Sequence, residues 1–356
     1  MGKKEQTIIL GAGLSGMTAA IVLAREGRAV MVIERAIDIG GDLALHPSLH
    51  ATPVNIKKVK EWTGLDPDKM FVMGKKVTTF VGNKSYNSPP IYLVERGKRP
   101  TSIDTYLYNE AKKLGVEFEF DHHVDNPKEL PKGSIIATGF YPDMFDIFKT
   151  PRRMARGFFV MKKNTDPELD GTMYLWMGPY TEDYGYACIL NELLYLALFS
   201  RFGLPDDSLK KFEKHLKETM GWEFDSWVDE KRLPVPMASI KSPRLFVDGY
   251  ILAGTVGNNM DPFLGFGIQG AILSGVTAAW AVIDPEKGER EHKKLNKNYK
   301  TSYISFQVMK SLPFREQLFW LFNNHPKWFA PINKLVSKGL PGHDGNWIDN
   351  TFGGEK

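Results

Sequence analysis

The residues Gly11-Ala12-Gly13-Leu14-Ser15-Gly16 have the types and spacing to hold a dinucleotide. Gly11 permits a tight turn, Gly13 lets the main chain approach a pyrophosphate, and Gly16 lets a helix pack close to its strand. A helix starting at Leu14 and Ser15 presents free N–H groups and the positive end of its dipole to the phosphates. Glu34 stands 18 residues after Gly16, where a carboxylate can accept hydrogen bonds from ribose hydroxyls, and Arg35 stands beside it. The flanking elements suit this chemistry. Residues 6–10 (QTIIL) read as a buried strand, 17–27 as a helix and 29–35 (AVMVIER) as a second strand.

Elsewhere the reactive residue types are sparse. His46 and His50 stand four apart in the loop after Asp42. A metal pair would want helical spacing and further ligands, and Pro47 and the lack of carboxylates nearby argue against one. Two readings stay open for these histidines: a proton donor or covalent attachment point beside a cofactor, or ordinary polar loop residues. His122-His123 reads as a solvated strand end. Cys188 is the one cysteine, which excludes an internal disulfide framework and any Cys-rich metal site and fits a reducing compartment. No His and Asn arrangement can be paired with it from sequence. Tyr186 and Cys188 are two apart in a strand, and are either walls of a pocket or part of an ordinary alternation with one face in the core.

Three further segments narrow the dinucleotide. Ile39-Gly40-Gly41-Asp42 follows the second strand, Gly133 to Ala137 reads as a short strand ending in Thr138-Gly139, and residues 244–283 run strand, Gly254, Asp261-Pro262, Gly265-Phe266-Gly267-Ile268, then a helix of small residues. In this order they resemble FAD enzymes of the p-hydroxybenzoate hydroxylase and geranylgeranyl reductase type, over roughly residues 5 to 285. The resemblance implies FAD, non-covalently bound, with Gly41, Asp42, Thr138, Gly139, Gly254, Asp261, Gly265, Gly267 and Ile268 added to the contacts above. A helix starting near Gly267 would point its positive end at the flavin pyrimidine edge. The family pattern has Asp where this chain has Thr255. Arg99 heads a helix with Asp104 one turn in, and Ala111 to Val116 follows the reductase group's phrase, so the resemblance makes Arg99 a cofactor contact. Gly185-Tyr186-Ala187 also matches the reductases, but their Trp, Phe and Pro are replaced by Cys188, Leu190 and Asn191.

These residues must be positioned by about two domains' worth of chain, since there are 356 residues. The expected architecture is α/β. A Rossmann-type FAD-binding domain of the p-hydroxybenzoate hydroxylase-like class is built from residues 1–60, 99–150 and 240–285. A β-sheet substrate domain is inserted as residues 61–98 and 151–239, and residues 286–356 form a helical C-terminal segment. The net charge of +4 is uneven: residues 293–338 carry nine basic side chains and one acid, so they hold +8 and the rest −4. Nine aromatics between residues 299 and 329 accompany that charge. It reads either as contact with an anionic membrane surface or as a solvated face over aromatics packed on the cofactor domain. No nucleic-acid motif accompanies it. The basic start runs directly into a Gly-rich turn and does not read as a secretory signal, and no run of about 18 apolar residues appears. A cytoplasmic protein is expected, with peripheral membrane contact as its one added localisation.

The resemblance implies an oxidoreductase in which reduced flavin N5 gives hydride to a C=C bond of a hydrophobic, isoprenoid-type substrate, with Tyr186, Cys188 and His46 as candidate catalytic residues. No resident NAD(P)H-binding domain is read, so electrons are expected from an external donor such as NAD(P)H or ferredoxin, with an electron-donor protein as a partner. Two alternatives remain: a flavin monooxygenase acting on an aromatic or polyene, and a non-catalytic FAD-binding partner of an electron-transfer complex.

Overall fold

The computed structural model describes residues 6–41, 46–82, 84–241, 243–263, 265–311 and 340–342. The first strand, Thr7–Leu10, pairs in parallel with Val30–Ile33 on one side and Ile135–Ile136 on the other. Glu117–Glu119 and Tyr250–Leu252 extend this sheet in parallel, and Phe246–Val247 closes one edge antiparallel, giving six strands. The central strands are apolar apart from Thr7, because elements cover both faces of the sheet. Helix Leu14–Arg25 is buried from Leu14 to Leu23, because it is caught between this sheet and helix Ile268–Ile283. Small residues permit that contact. A Cβ on Gly16 would lie 1.9 Å from the Gly11 carbonyl oxygen, and one on Gly275 would lie 2.3 Å from that of Ser15.

The second unit is a seven-stranded sheet in the order Val228–Val235, Arg153–Lys163, Leu193–Ser200, Tyr184–Leu190, Thr172–Met177, Lys76–Val81, Lys84–Ser88. Its pairs are antiparallel except Lys76–Val81 with Thr172–Met177. Alternation gives the faces different work. Trp176, Ala187, Ile189, Leu194, Leu196 and Leu198 pack on helix Ser208–Met220 through Phe212 and Leu216. Met173, Leu175, Tyr184, Tyr186, Tyr195 and Phe199 face the other way.

A three-stranded sheet joins the units: Ser48–Thr52 and Val72–Met73 flank Tyr92–Arg96. Residues 61–98 divide between the two cores. Leu65, Met70 and Phe71 pack with the parallel-sheet unit, whereas Val77 packs against the large sheet. The C-terminal segment opens with a charged helix, Pro285–Leu295, capped by Asp284 at its start. Asn296, Lys297 and Asn298 break it, and a second helix runs Tyr299–Ser311. The rest of the basic segment, 312–338, lies outside the described residues. Among the described residues no helix is long and apolar enough to cross a membrane.

Candidate functional site

A cavity of about 1490 Å³ lies between the carboxyl ends of the parallel strands and the inner face of the large sheet. Ordinary ligand pockets run about 300–1,000 Å³, so this one has room for two ligands. At one end stand Gly11, Gly13, Leu14, Ser15, Glu34 and Arg35. Gly11 takes φ +107°, and a Cβ there would meet the Ala137 carbonyl at 2.5 Å. Both carboxylate oxygens of Glu34 accept backbone N–H bonds, from Ala12 at 2.8 Å and Ala36 at 2.9 Å, which fixes it at the cavity edge. The Arg35 guanidinium lies 4.5 Å over the Tyr141 ring.

Three observations fit a dinucleotide here. Gly13 faces open space, with nothing within 4 Å of where its Cβ would be. Helix Leu14–Arg25 starts without a side-chain cap, which leaves its first N–H groups for a ligand. Thr138, on the cavity wall, has a buried hydroxyl without a hydrogen-bond partner among the described residues. Gly139 and Gly41 continue this wall. Farther along, Gly265, Gly267 and Ile268 line the cavity at the start of helix Ile268–Ile283, which also lacks a side-chain cap. Two helix N-termini therefore meet one cavity. Thr255 also lines it, so a neutral hydroxyl stands where the family pattern has a carboxylate.

Four expected contacts sit elsewhere. Gly16 lies behind the turn, where its role is helix packing. A Cβ on Gly254 would lie 2.5 Å from the Ser15 hydroxyl, so this glycine serves the approach of two segments. Asp261 is fully buried and shapes its loop: its carboxylate accepts from Ser302 at 2.9 Å and its carbonyl from Gly265 N at 3.1 Å. Arg99 turns away, giving one bond to the Asn191 carbonyl at 2.9 Å and an ion pair to Glu95 at 3.4 Å. Arg96, three residues earlier, lines the cavity instead. Asp42 lies outside the described residues.

Arg96 was missed because strand register decides which side chain faces the site. Ser48 pairs opposite Arg96 and both reach the cavity. Arg96 holds Asp104 through Nε at 2.7 Å and Nη2 at 2.9 Å, and Gly97 N adds a third bond at 2.9 Å. Burial alone would raise the Asp104 carboxyl, but the Arg96 charge and hydrogen bonds outweigh it and hold the carboxyl below its ordinary range. The Asp one turn into the helix is the signal that could have pointed here.

Of the catalytic candidates, Tyr186 and His46 line the cavity and Cys188 does not. Cys188 is fully buried against Leu49 and Leu93, and burial pushes its thiol up, so it is a packed core residue held as a thiol. His50, expected in a loop, lies on strand Ser48–Thr52 and reaches the cavity with His46 and Ser48. His46 Nδ1 is 2.8 Å from Ser48 Oγ, Ser48 Oγ is 2.9 Å from His50 Nε2, and His50 Nδ1 is 3.1 Å from the Tyr186 hydroxyl. Burial, with Arg96 and His46 as positive neighbours, lowers the His50 imidazole to about 3, against an opposing contribution from Asp104. Burial raises Tyr186 well above the ordinary phenol range and Tyr184 to about 12. The wall around them is a cluster of rings, with Tyr186 6.2 Å from both Tyr184 and Tyr195.

Comparison with known proteins agrees with this geometry. The model of an NAD(P)-binding Rossmann-like domain matches residues 9–51. Protein FixC of Escherichia coli is 25% identical over 391 aligned positions, covering 92% of this chain and 88% of that one. A geranylgeranyl bacteriochlorophyll reductase-like protein of Thermoplasma acidophilum superposes with a TM-score of 0.67 at 16% identity, over 93% of this chain and 99% of that one. A p-nitrophenol 4-monooxygenase of Pseudomonas putida superposes with a TM-score of 0.64 at 14% identity, over 95% of this chain and 100% of that one. The fold is that of the p-hydroxybenzoate hydroxylase-like flavoproteins, which serve both reductases and monooxygenases.

Proposed function

We propose that this chain is an FAD-dependent oxidoreductase that reduces a carbon–carbon double bond in an apolar, isoprenoid-type substrate. One observation carries the reading: a phenol held protonated, Tyr186, stands on the ring-lined wall of a cavity whose other end is a dinucleotide cradle. When bound, FAD supplies a hydride from its reduced N5. Glu34 would hold the ribose, and Gly13, Thr138 and the first turn of Leu14–Arg25 the pyrophosphate. The start of Ile268–Ile283 would place its positive end against the ring system. Phe159, Met173, Leu175 and Phe199 line the other side and would exclude water from an apolar substrate. Tyr186 would place a proton on the carbon next to the one reduced.

Reducing equivalents come from an external donor, NAD(P)H or a ferredoxin-type protein, in this reading. The basic residues of 293–338 meet an anionic membrane surface where such a substrate is stored. The likeness to a reductase-like protein over nearly the whole chain supports the reaction class, and the likeness to a monooxygenase makes oxygen the competing acceptor to test.

The test is anaerobic photoreduction of the FAD-loaded protein followed by geranylgeraniol. The expected outcome is return of the yellow colour without oxygen, with a product heavier by pairs of hydrogen atoms in mass spectrometry. Return of colour with oxygen alone, together with hydroxylation of an aromatic probe, would assign a monooxygenase instead. A flavin that resists reduction would assign a non-catalytic role.

A further inference from the structure

We propose that His46, Ser48 and His50 form a proton path that refills the Tyr186 hydroxyl from the cofactor end of the cavity. The path rests on hydrogen-bond geometry; what consumes its proton rests on the reductase reading above. Its three links measure 2.8, 2.9 and 3.1 Å, all within hydrogen-bonding range. Three members come from two sheets, and His46 stands just before the first of their strands. Ser48 and His50 are two apart on one strand and so share a face, and Tyr186 reaches them from the large sheet. Both ends open on the cavity, since Tyr186 lines its apolar wall and His46 lines it beside Gly41. A purely structural role would be met by one bond to each buried polar group. A chain continuous between two exits does more than that role requires.

The residue types allow the chain to conduct. Serine donates one hydrogen and accepts, and a neutral histidine donates from one nitrogen and accepts at the other. All bonds can therefore point toward Tyr186 or all point away. Conduction needs His50 neutral, because an imidazolium would donate from both nitrogens and block the proton coming from Ser48. The groups facing His50 are His46, Arg96, Asp104, Tyr186 and Tyr195; burial and the Arg96 and His46 charges keep it neutral against the pull of Asp104.

The step balances as follows. The Tyr186 O–H bond breaks as one carbon of the double bond gains its C–H bond, the other carbon taking the hydride while the π bond breaks. The Tyr186 oxygen takes the Nδ1 proton of His50, His50 Nε2 takes the Ser48 hydroxyl proton, and Ser48 Oγ takes the Nδ1 proton of His46. One proton leaves a doubly protonated His46 and one C–H bond forms. No electrons travel the path, because the pair arrives with the hydride. His46 then regains a proton from water.

The test uses the full chain with its eight histidines labelled with nitrogen-15. Ser48→Ala is expected to shift the Nδ1 resonance of His46 and the Nε2 resonance of His50, and Ser48→Thr, which keeps the hydroxyl, to restore both. In the FAD-loaded, photoreduced protein, Ser48→Ala is expected to slow reoxidation by geranylgeraniol about tenfold. That is less than the roughly 100-fold cost of removing the terminal acid with Tyr186→Phe. The solvent deuterium effect should change from several protons in flight to one. Unmoved His46 and His50 resonances in Ser48→Ala overturn the path. If native protein gives no electrons to geranylgeraniol, the reductase reading falls, and the nitrogen resonances alone then uphold or overturn the path.

Discussion

His292 is buried, with 4% of its surface exposed, and burial holds its imidazole down to about 4; its Nε2 lies 2.9 Å from Asn259 Oδ1. His50 is lowered further, to about 3. A histidine depressed in the folded state binds fewer protons there than in the unfolded chain between its folded value and about 6.5, so stability rises with pH across that window. The stabilisation is complete above about 6.5 and is lost as the pH falls toward 4. At about 1.36 kcal/mol per unit, His292 alone should cost about 2 kcal/mol at pH 5 relative to pH 7. His50 adds in the same direction. Asp104 adds only below the ordinary carboxylate range, outside this interval. Urea midpoints at pH 7 and pH 5 check this: the midpoint should fall at pH 5, and His292→Gln should flatten the change. Equal midpoints in the native chain would refute the assignment. None of these titrations could be read from sequence, because they depend on which partners enclose each imidazole. Glu34, Gly13 and Thr138 were legible, since each works within a short stretch of chain. Arg96 was confused with Arg99 because the choice lies in the register between Tyr92–Arg96 and Ser48–Thr52.

At the scale of elements, the turn before helix Leu14–Arg25 separates two uses of glycine. Gly13 faces open space with an ordinary backbone, whereas a Cβ on Gly16 would sit 1.9 Å from the Gly11 carbonyl oxygen. Gly13→Val should therefore melt close to the native temperature while weakening FAD binding by at least tenfold, read from quenching of flavin fluorescence on titration. Gly16→Val should push the helix from its strand and cost about 3 kcal/mol, at the upper end for an overpacked core, read as a lowered melting temperature. Native-like FAD affinity in Gly13→Val would remove the cradle from this turn. The strand–turn–helix unit was readable because its glycines, apolar runs and acid lie within about 30 residues, the scale of one such unit. The large sheet was less so. Tyr186 and Cys188 share one face, yet only their opposite partners separate a cavity wall from a core position: His50 for Tyr186, Leu49 and Leu93 for Cys188. The break at Asn296 to Asn298 was hidden because the charged pattern of residues 286–300 continues through it.

Across the whole molecule the charge is divided, with +8 in residues 293–338 and −4 in the rest. The described part of the basic segment is tied to the loops around the cavity. Ser302 bonds the Asp261 carboxylate, the Tyr299 hydroxyl accepts from Asn258 Nδ2 at 3.0 Å, and Phe306 lies under Arg201 at 4.3 Å. Arg201 in turn bonds the carbonyls of Pro262 at 3.2 Å and Phe263 at 3.3 Å and is held by Asp183. Deleting the segment would therefore disturb the cofactor loop as well as the charge, and a deletion would not separate the two. Neutralising exposed lysines does. Among the described residues Lys293 and Lys294 pair with exposed Glu289 and partly exposed Glu291, and pairs of that kind contribute little to stability. Lys300 is exposed on the second helix. Each lysine near an anionic surface contributes about 1 kcal/mol, so the triple change of Lys293, Lys294 and Lys300 to Ser should weaken binding to vesicles of mixed neutral and anionic phospholipid roughly 100-fold at low salt. FAD affinity and melting temperature should stay near native, and vesicles of neutral lipid should bind neither protein. Equal binding of native and triple variant to the anionic vesicles would take membrane contact away from this surface and leave its lysines as a solvated face over the packed aromatics.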